Sequence, residues 1–151
     1  MTIAFDLSEI ERALFRAAAD EMQLAGNIVT RVTVLNTVVG APETWRRPPP
    51  PGYTPGGARA GWNILIGQEP TESLYDPAAR DTVGAPTIAR AQTQLQQYTD
   101  RDARSERVIY LANAVPYIVP LNNGEASPRG SFFAEAGVAA GAGENTRVIP
   151  L

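Results

Sequence analysis

Residues 8–39 read SEIERALFRAAADEMQLAGNIVTRVTVLNTVV, and the fold turns on this stretch. It opens on Ser8-Glu9-Ile10-Glu11, a capping-box pattern in which the Ser8 hydroxyl accepts from the Glu11 amide and the Glu11 carboxylate reaches back to the Ser8 amide. Glu9 and Glu11 also suit the positive end of a helix dipole. Ile10, Leu14, Ala17 or Ala18, Leu24, Ile28, Val32, Leu35 and Val39 then recur at close to three or four residues per step, as one apolar helical stripe requires. Two features pull the other way. The β-branched residues from Ile28 to Leu35 fit strands better than helices, and Gly26-Asn27 could break the element. One long or kinked helix is favoured over a helix followed by a strand.

Downstream, residues 40–57 predict a loop. Pro42, Pro48 to Pro51 and Pro55 remove backbone donors and bias their neighbours toward extended conformations, while Gly40, Gly52, Gly56 and Gly57 supply turns. A proline run of this kind forms a stiff surface arm or, alternatively, a ligand for a proline-binding groove. Trp45, Arg46, Arg47 and Tyr53 lie on this loop, and large aromatic and Arg side chains there suit an interface better than solvent.

Residues 59–67 read as a strand, with Trp62, Ile64 and Ile66 alternating and Gly67 ending it. A polar segment, Gln68 to Gly84, precedes a helix over 87–98 that starts beside Pro86 and aligns Ile88, Ala91, Leu95 and Tyr98 on one face. Residues 100–107 read as a solvated mixed-charge turn, and 108–112 as the best strand in the chain. Pro116 and Pro120 make 115–124 a helical turn or loop, not a central strand. Phe132 to Ala140 predicts a terminal helix anchored by Phe132 and Phe133. Gly141-Ala142-Gly143 then releases a tail whose Val148, Ile149 and Leu151 are apolar enough to dock on a sheet edge or a neighbour. No internal repeat is visible. The expectation is a single α+β domain over 1–151: a small antiparallel or mixed sheet packed against a long N-terminal helix and shorter helices, with a proline-rich arm at 40–57 and a C-terminal tail at 141–151.

Composition narrows the chemistry. The 151 residues include neither Cys nor His, and all 13 basic residues are Arg. A thiolate nucleophile, an imidazole base, a Schiff-base lysine and the usual zinc ligand sets are therefore excluded. No disulfide is possible. The net charge of −3 argues against a whole-domain basic footprint for nucleic acid. The N-terminus lacks the basic-then-apolar pattern of a signal peptide, and no apolar run reaches membrane-spanning length.

The remaining candidates for chemistry are weak. Glu9/Glu11 and Asp100/Asp102 are the close carboxylate pairs. Residues two apart fall on different helix faces, and Arg101, Arg104 and Arg107 crowd the second pair. The glycine-rich stretch Gly137 to Gly143 lacks the lysine of a phosphate loop, and so does Gly56-Gly57. Trp45-Arg46-Arg47 is a slender basis for a nucleic-acid patch. No catalytic, cofactor-binding or metal-binding residue is assigned.

Two segments carry a resemblance. Pro55-Gly56-Gly57-Ala58-Arg59-Ala60-Gly61-Trp62 resembles the Thr-Gly-x-Leu-Arg-x-Ser-Trp stretch of small tail-component proteins of long-tailed bacteriophages. Gly56, Arg59 and Trp62 match, while Pro55, Ala58 and Gly61 depart from that family's Thr, Leu and Ser. Val108 to Tyr117, with Asn113, Pro116 and Tyr117, is similar to the family's strand ending in Asn-Asn-x-Pro-Tyr-Ala. Leu121-Asn122-Asn123-Gly124 resembles its Leu-Glu-x-Gly or Leu-Asn-x-Gly, and Ser127-Pro128-Arg129-Gly130-Ser131-Phe132-Phe133 its Ala-Pro-x-Gly-x-(Val or Phe), although this chain is shorter between Gly124 and Pro128. With the N-terminal helix, the resemblance covers most of the chain.

Physical roles for these residues are structural. Asn113 ends a strand where its side chain bonds turning backbone, Pro116 sets φ, Tyr117 buries a ring, and Gly124 suits a positive φ. The resemblance implies a non-enzymatic virion protein, a tail-completion or tail-terminator component at the head–tail junction or upper end of the tail, assembled in the host cytoplasm. It further implies a ring, hexameric in related proteins, that contacts further copies of itself, the tail tube protein and stopper or adaptor proteins of the neck. No cofactor, membrane or sequence-specific nucleic acid is implied. The alternatives are another neck part (adaptor or stopper), a small metal-dependent carboxylate hydrolase, and an adaptor module working through the proline loop. Trp45, Arg46, Arg47, Tyr53, Val148, Ile149 and Leu151 are the expected interface residues, and Gly56, Arg59, Trp62, Asn113, Pro116, Tyr117, Gly124, Pro128 and Gly130 the expected structural motif.

Overall fold

The computed structural model describes residues 1, 6–40, 47–124 and 132–141. Helix α1 runs unbroken from Leu7 to Asn36. Its cap differs from the expected one. Asp6, not Ser8, is the N-cap, and its carboxylate accepts from the Ser8 amide at 2.9 Å and the Ser8 hydroxyl at 2.6 Å. Gly26-Asn27 does not break the helix. A Cβ at Gly26 would lie 2.7 Å from Leu95, so glycine is there to admit that side chain.

A helical turn, α2 (Gly57–Ala60), leads into strand β1 (Trp62–Ile66), so residues 59 and 60 are helical where a strand was expected. Helix α3 spans Ala85–Leu95 with Pro86 in its first turn. The mixed-charge segment is largely exposed, as expected, but it is helical and not a turn. It forms α4 (Asp100–Arg104), closed by a capping box between Thr99 and a buried Asp102. Strand β2 (Ile109–Asn113), α5 (Ile118–Asn122) and α6 (Phe133–Gly141) follow. The architecture is α+β: a two-stranded antiparallel sheet pairs Trp62 with Asn113, Ile64 with Leu111 and Ile66 with Ile109, packed among helices.

The main core gathers Val34, Ala58, Trp62, Val115, Tyr117, Leu121 and Phe133, and the Trp62 and Phe133 rings meet edge to face at 6.2 Å. Ile64, Ala91 and Leu95 form a second cluster under α3. Phe133 is the aromatic anchor of α6, while Phe132 is exposed. Helix α3 also covers the outer edge of β1. Gln94 Oε1 accepts from the Ile64 amide at 3.0 Å, and Arg90 donates to the carbonyls of Ala60 and Trp62 at 2.7 and 2.8 Å. That edge therefore offers little for another strand to pair with.

Helix α6 lies directly on α1 through Gly137 and Gly141, four residues apart on one face. A Cβ at Gly137 would run into Thr33 Oγ1 and sit 2.9 Å from the Val29 carbonyl, and one at Gly141 would run into Val29 and sit 3.0 Å from the Ala25 carbonyl. Gly137 and Gly141 thus form a helix–helix contact surface, where small residues let backbones approach closely.

Candidate assembly surface

Behind the surface stands a hub built from segments far apart in sequence. Gly56 adopts φ +80°, a left-handed conformation that glycine takes without strain. A side chain there would also lie 2.9 Å from the backbone of Asp81, whose amide donates to the Gly56 carbonyl at 3.1 Å. Three residues on, Arg59 donates to the carbonyls of Thr82 (2.7 Å), Leu35 (3.1 Å) and Thr37 (2.8 Å). The last two belong to the negative end of α1, whose own last turn holds no basic residue. Burial lowers the Arg59 pKa from its ordinary value and the Asp81 charge opposes that shift. Trp62 Nε1 donates to Thr37 Oγ1 at 2.9 Å, and that hydroxyl donates to the Thr33 carbonyl at 2.7 Å.

The second segment closes on the first. Asn113 Nδ2 donates to the Ala58 carbonyl at 2.6 Å while its Oδ1 accepts from the Val115 amide at 3.1 Å. Tyr117 is buried, with the Tyr53 ring edge-on at 5.4 Å. Gly124 has φ +72°, and Pro116 is exposed. Pro128 and Gly130 lie outside the described residues.

Sequence reading missed Asp81, in the segment left as a polar connection. Its buried carboxylate accepts from the amides of Val83 (3.0 Å), Gly84 (2.6 Å) and Thr87 (3.0 Å) and from the Thr87 hydroxyl (2.6 Å). It thereby caps α3, whose own N-cap is a glycine with no side chain to do so. Burial alone would raise the Asp81 pKa. The bonds from Thr87, Gly84 and Val83 outweigh it and hold the carboxyl below its ordinary value. Asp102 is held low first by the Thr99 hydroxyl and amide, with Arg107 and Arg101 adding to the effect. The signal for Asp102 was present in the sequence as Thr99-x-x-Asp102.

The close carboxylates do not form dyads. Asp102 is committed to its cap, whereas Asp100 is exposed and accepts from the Arg101 amide at 2.9 Å. Glu11 pairs with Arg104 at 3.3 Å on the surface, and Arg104 lies over the Phe15 ring at 5.2 Å. An open cleft of about 210 Å³ beside them is lined by Arg12, Phe15, Asp100, Arg101 and Arg104. Among the described residues, no group of three or more acids could hold a metal ion, and no helix is long and apolar enough to cross a membrane.

The sequence-predicted interface residues separate. Arg47 is exposed. Tyr53 is not the exposed loop aromatic that was expected: it is half-buried against the core, and its hydroxyl donates to the Gly40 carbonyl at 2.6 Å. That bond ties the end of the proline loop back to its first residue. Trp45, Arg46, Val148, Ile149 and Leu151 lie outside the described residues.

The largest unexpected feature is α1 itself. Ala19, Thr30, Thr33 and Val34 face inward. Most of the apolar stripe that marked the helix faces out: Ile10, Leu14, Leu24, Ile28 and Leu35 are all exposed, Leu14 at 66% and Leu24 at 62%, while Val32 and Val39 are half-buried. An apolar band along a helix is the kind of surface that marks an interaction site. Fold and surface together describe an α+β domain with an exposed apolar band along α1. Comparison with family models, curated proteins and solved structures gives no match.

Proposed function

We propose that this chain is a structural subunit of a bacteriophage virion, a tail-completion or tail-terminator component at the head–tail junction or the upper end of the tail. In this reading it acts by assembly and not by catalysis, in a ring, hexameric by resemblance, that joins the tail tube protein to stopper or adaptor proteins of the neck. The observation that carries the reading is the convergence of the resemblance residues. Gly56, Arg59 and Trp62 from one segment and Asn113 and Tyr117 from another meet in one hydrogen-bonded and packed hub. These five residues, which match a family of building blocks, serve architecture.

The test is electron microscopy of the purified chain, alone and mixed with tail tubes of the phage that encodes it. Rings of constant symmetry, or density capping one end of the tubes, are expected. Particles that neither form rings at any concentration nor bind tube ends would overturn the reading.

A further inference from the structure

The outward face of α1 has a stricter pattern than an amphipathic stripe. Leu7, Ile10, Leu14, Leu24, Ile28 and Leu35 fall on the two apolar positions of a seven-residue repeat, alternating three and four apart, and Ala17 fills one further position. Every one of them is exposed. The helix carrying them has 30 residues, about 45 Å at 1.5 Å per residue. A repeat of seven with apolar residues at both positions is the seam of a coiled coil, where each side chain inserts between residues of a facing helix. Helix α6 meets α1 at Ala25, Val29 and Thr33, on a neighbouring face, so among the described residues the seam is left open.

Two positions of the repeat are charged, and they identify the occupant. Glu21 and Arg31 interrupt the seam with opposite signs, and both are exposed. Two α1 helices placed parallel and in register would set Glu21 against Glu21 and Arg31 against Arg31, which is repulsive at a closed seam. In an antiparallel pair with Leu24 opposite Ile28 of the second copy, the same register sets Glu21 opposite Arg31, twice, and Ala17 opposite Leu35, so the paired seam runs over residues 17–35 and Leu7, Ile10 and Leu14 lie beyond the end of the second copy's α1 at Asn36. Shifting that register by one repeat leaves each charge against an apolar residue, where it would be desolvated without a partner. A single acid and a single base spaced this way complement a second copy of the same helix. Polar residues at seam positions act in this manner to specify register.

We propose that two copies of this chain pair through an antiparallel coiled-coil contact between their α1 helices, with Glu21 of each copy against Arg31 of the other. The contact is isologous and closes on two copies, whereas a ring is built head to tail. It therefore stands apart from the tail-completion reading and survives the failure of that reading.

Sedimentation equilibrium of the full chain tests it. The wild type should show a concentration-dependent monomer–dimer mass. Glu21→Arg and Arg31→Glu should each weaken dimerisation by about tenfold or more, and the double exchange should restore it. Because the chain has no Cys, single-cysteine variants give an independent reading of register. A mixture of Leu24→Cys and Ile28→Cys should cross-link on oxidation far faster than either variant alone. A wild type that stays monomeric, a ring or dimer indifferent to either charge reversal, a double exchange no better than the singles, or cross-linking no faster in the mixture would each overturn the proposal.

Discussion

The two long faces of α1 differ in a way that reverses the usual order of hydrophobicity. Inward lie Ala19, Gly26, Thr30, Thr33, Val34 and Thr37, and all but Gly26 are buried. Outward lie Ile10, Leu14, Leu24, Ile28 and Leu35, with far more apolar surface and far less burial. The reason is distance. Small inward residues let α6 and α3 approach until Gly137 and Leu95 touch the helix, and the energy comes from close packing and hydrogen bonds over a short reach. Large residues on that face would hold the neighbours apart. The lesson is that an apolar period locates a surface that needs a partner, without saying whether the partner belongs to the same chain.

The sharpest way to break the comparison is at Trp62, which joins the inward face through Thr37 and packs on Phe133. Trp62→Ala should cost about 3–5 kcal/mol, measured by urea unfolding. That is a large fraction of a typical domain's stability. An unchanged midpoint would mean that the inward face is not what holds the fold.

Gly137→Val sharpens the same point from the other side of the interface, since its side chain would enter space held by Thr33 and the Val29 carbonyl. Overpacking of this kind should cost about 1–3 kcal/mol and lower the thermal midpoint. A neutral outcome would show that α6 stands off from α1.

An effect of similar size is expected from Asp81, which fixes Gly84 where a side chain would lie 3.1 Å from Leu35 and 3.4 Å from Val34. Asp81→Ala leaves the Gly84 amide and the Thr87 amide and hydroxyl without their acceptor, a loss of about 1–3 kcal/mol. The same carboxylate gives a pH signature. Its folded pKa lies below the unfolded value of about 3.9, so its stabilisation is complete above that pH and is lost as pH falls through the folded pKa. Asp102 behaves in the same direction. Thermal midpoints of wild type should therefore fall on acidification below about pH 4, and Asp81→Asn should flatten that decline. Parallel acid limbs in the two proteins would remove Asp81 from the account.

Much of the fold was legible. The period of α1, the alternation through Ile64 and Ile66, the Ala91 and Leu95 face and the strand ending at Asn113 all follow from local pattern, whereas Tyr98, expected on the same helix, lies beyond its end at Leu95. The direction of the α1 stripe was not legible, because periodicity reports which residues share a face and not what covers it. The Gly137/Gly141 contact was equally invisible until α6 lay on Ala25 and Val29. Asp81 escaped because its donors belong to a helix that begins later, behind Gly84, where an acidic residue in a polar segment looks solvated. Tyr53 misled for the opposite reason, since an aromatic in a proline-rich loop looks available until its ring is seen against Tyr117.

The central claim is that the smaller inward residues of α1 hold the fold while the larger outward ones do not. It is tested most directly by comparing Val34→Ala with Leu24→Ala in urea unfolding, in dilute protein where the midpoint no longer depends on concentration. Val34 is fully buried and Leu24 is 62% exposed. Truncating Val34 should cost about 2 kcal/mol, from two lost methyl groups and the cavity they leave. The larger truncation at Leu24 should stay within about 0.5 kcal/mol of wild type. A Leu24 loss equal to or greater than the Val34 loss would contradict the account and turn the outward face into part of the core.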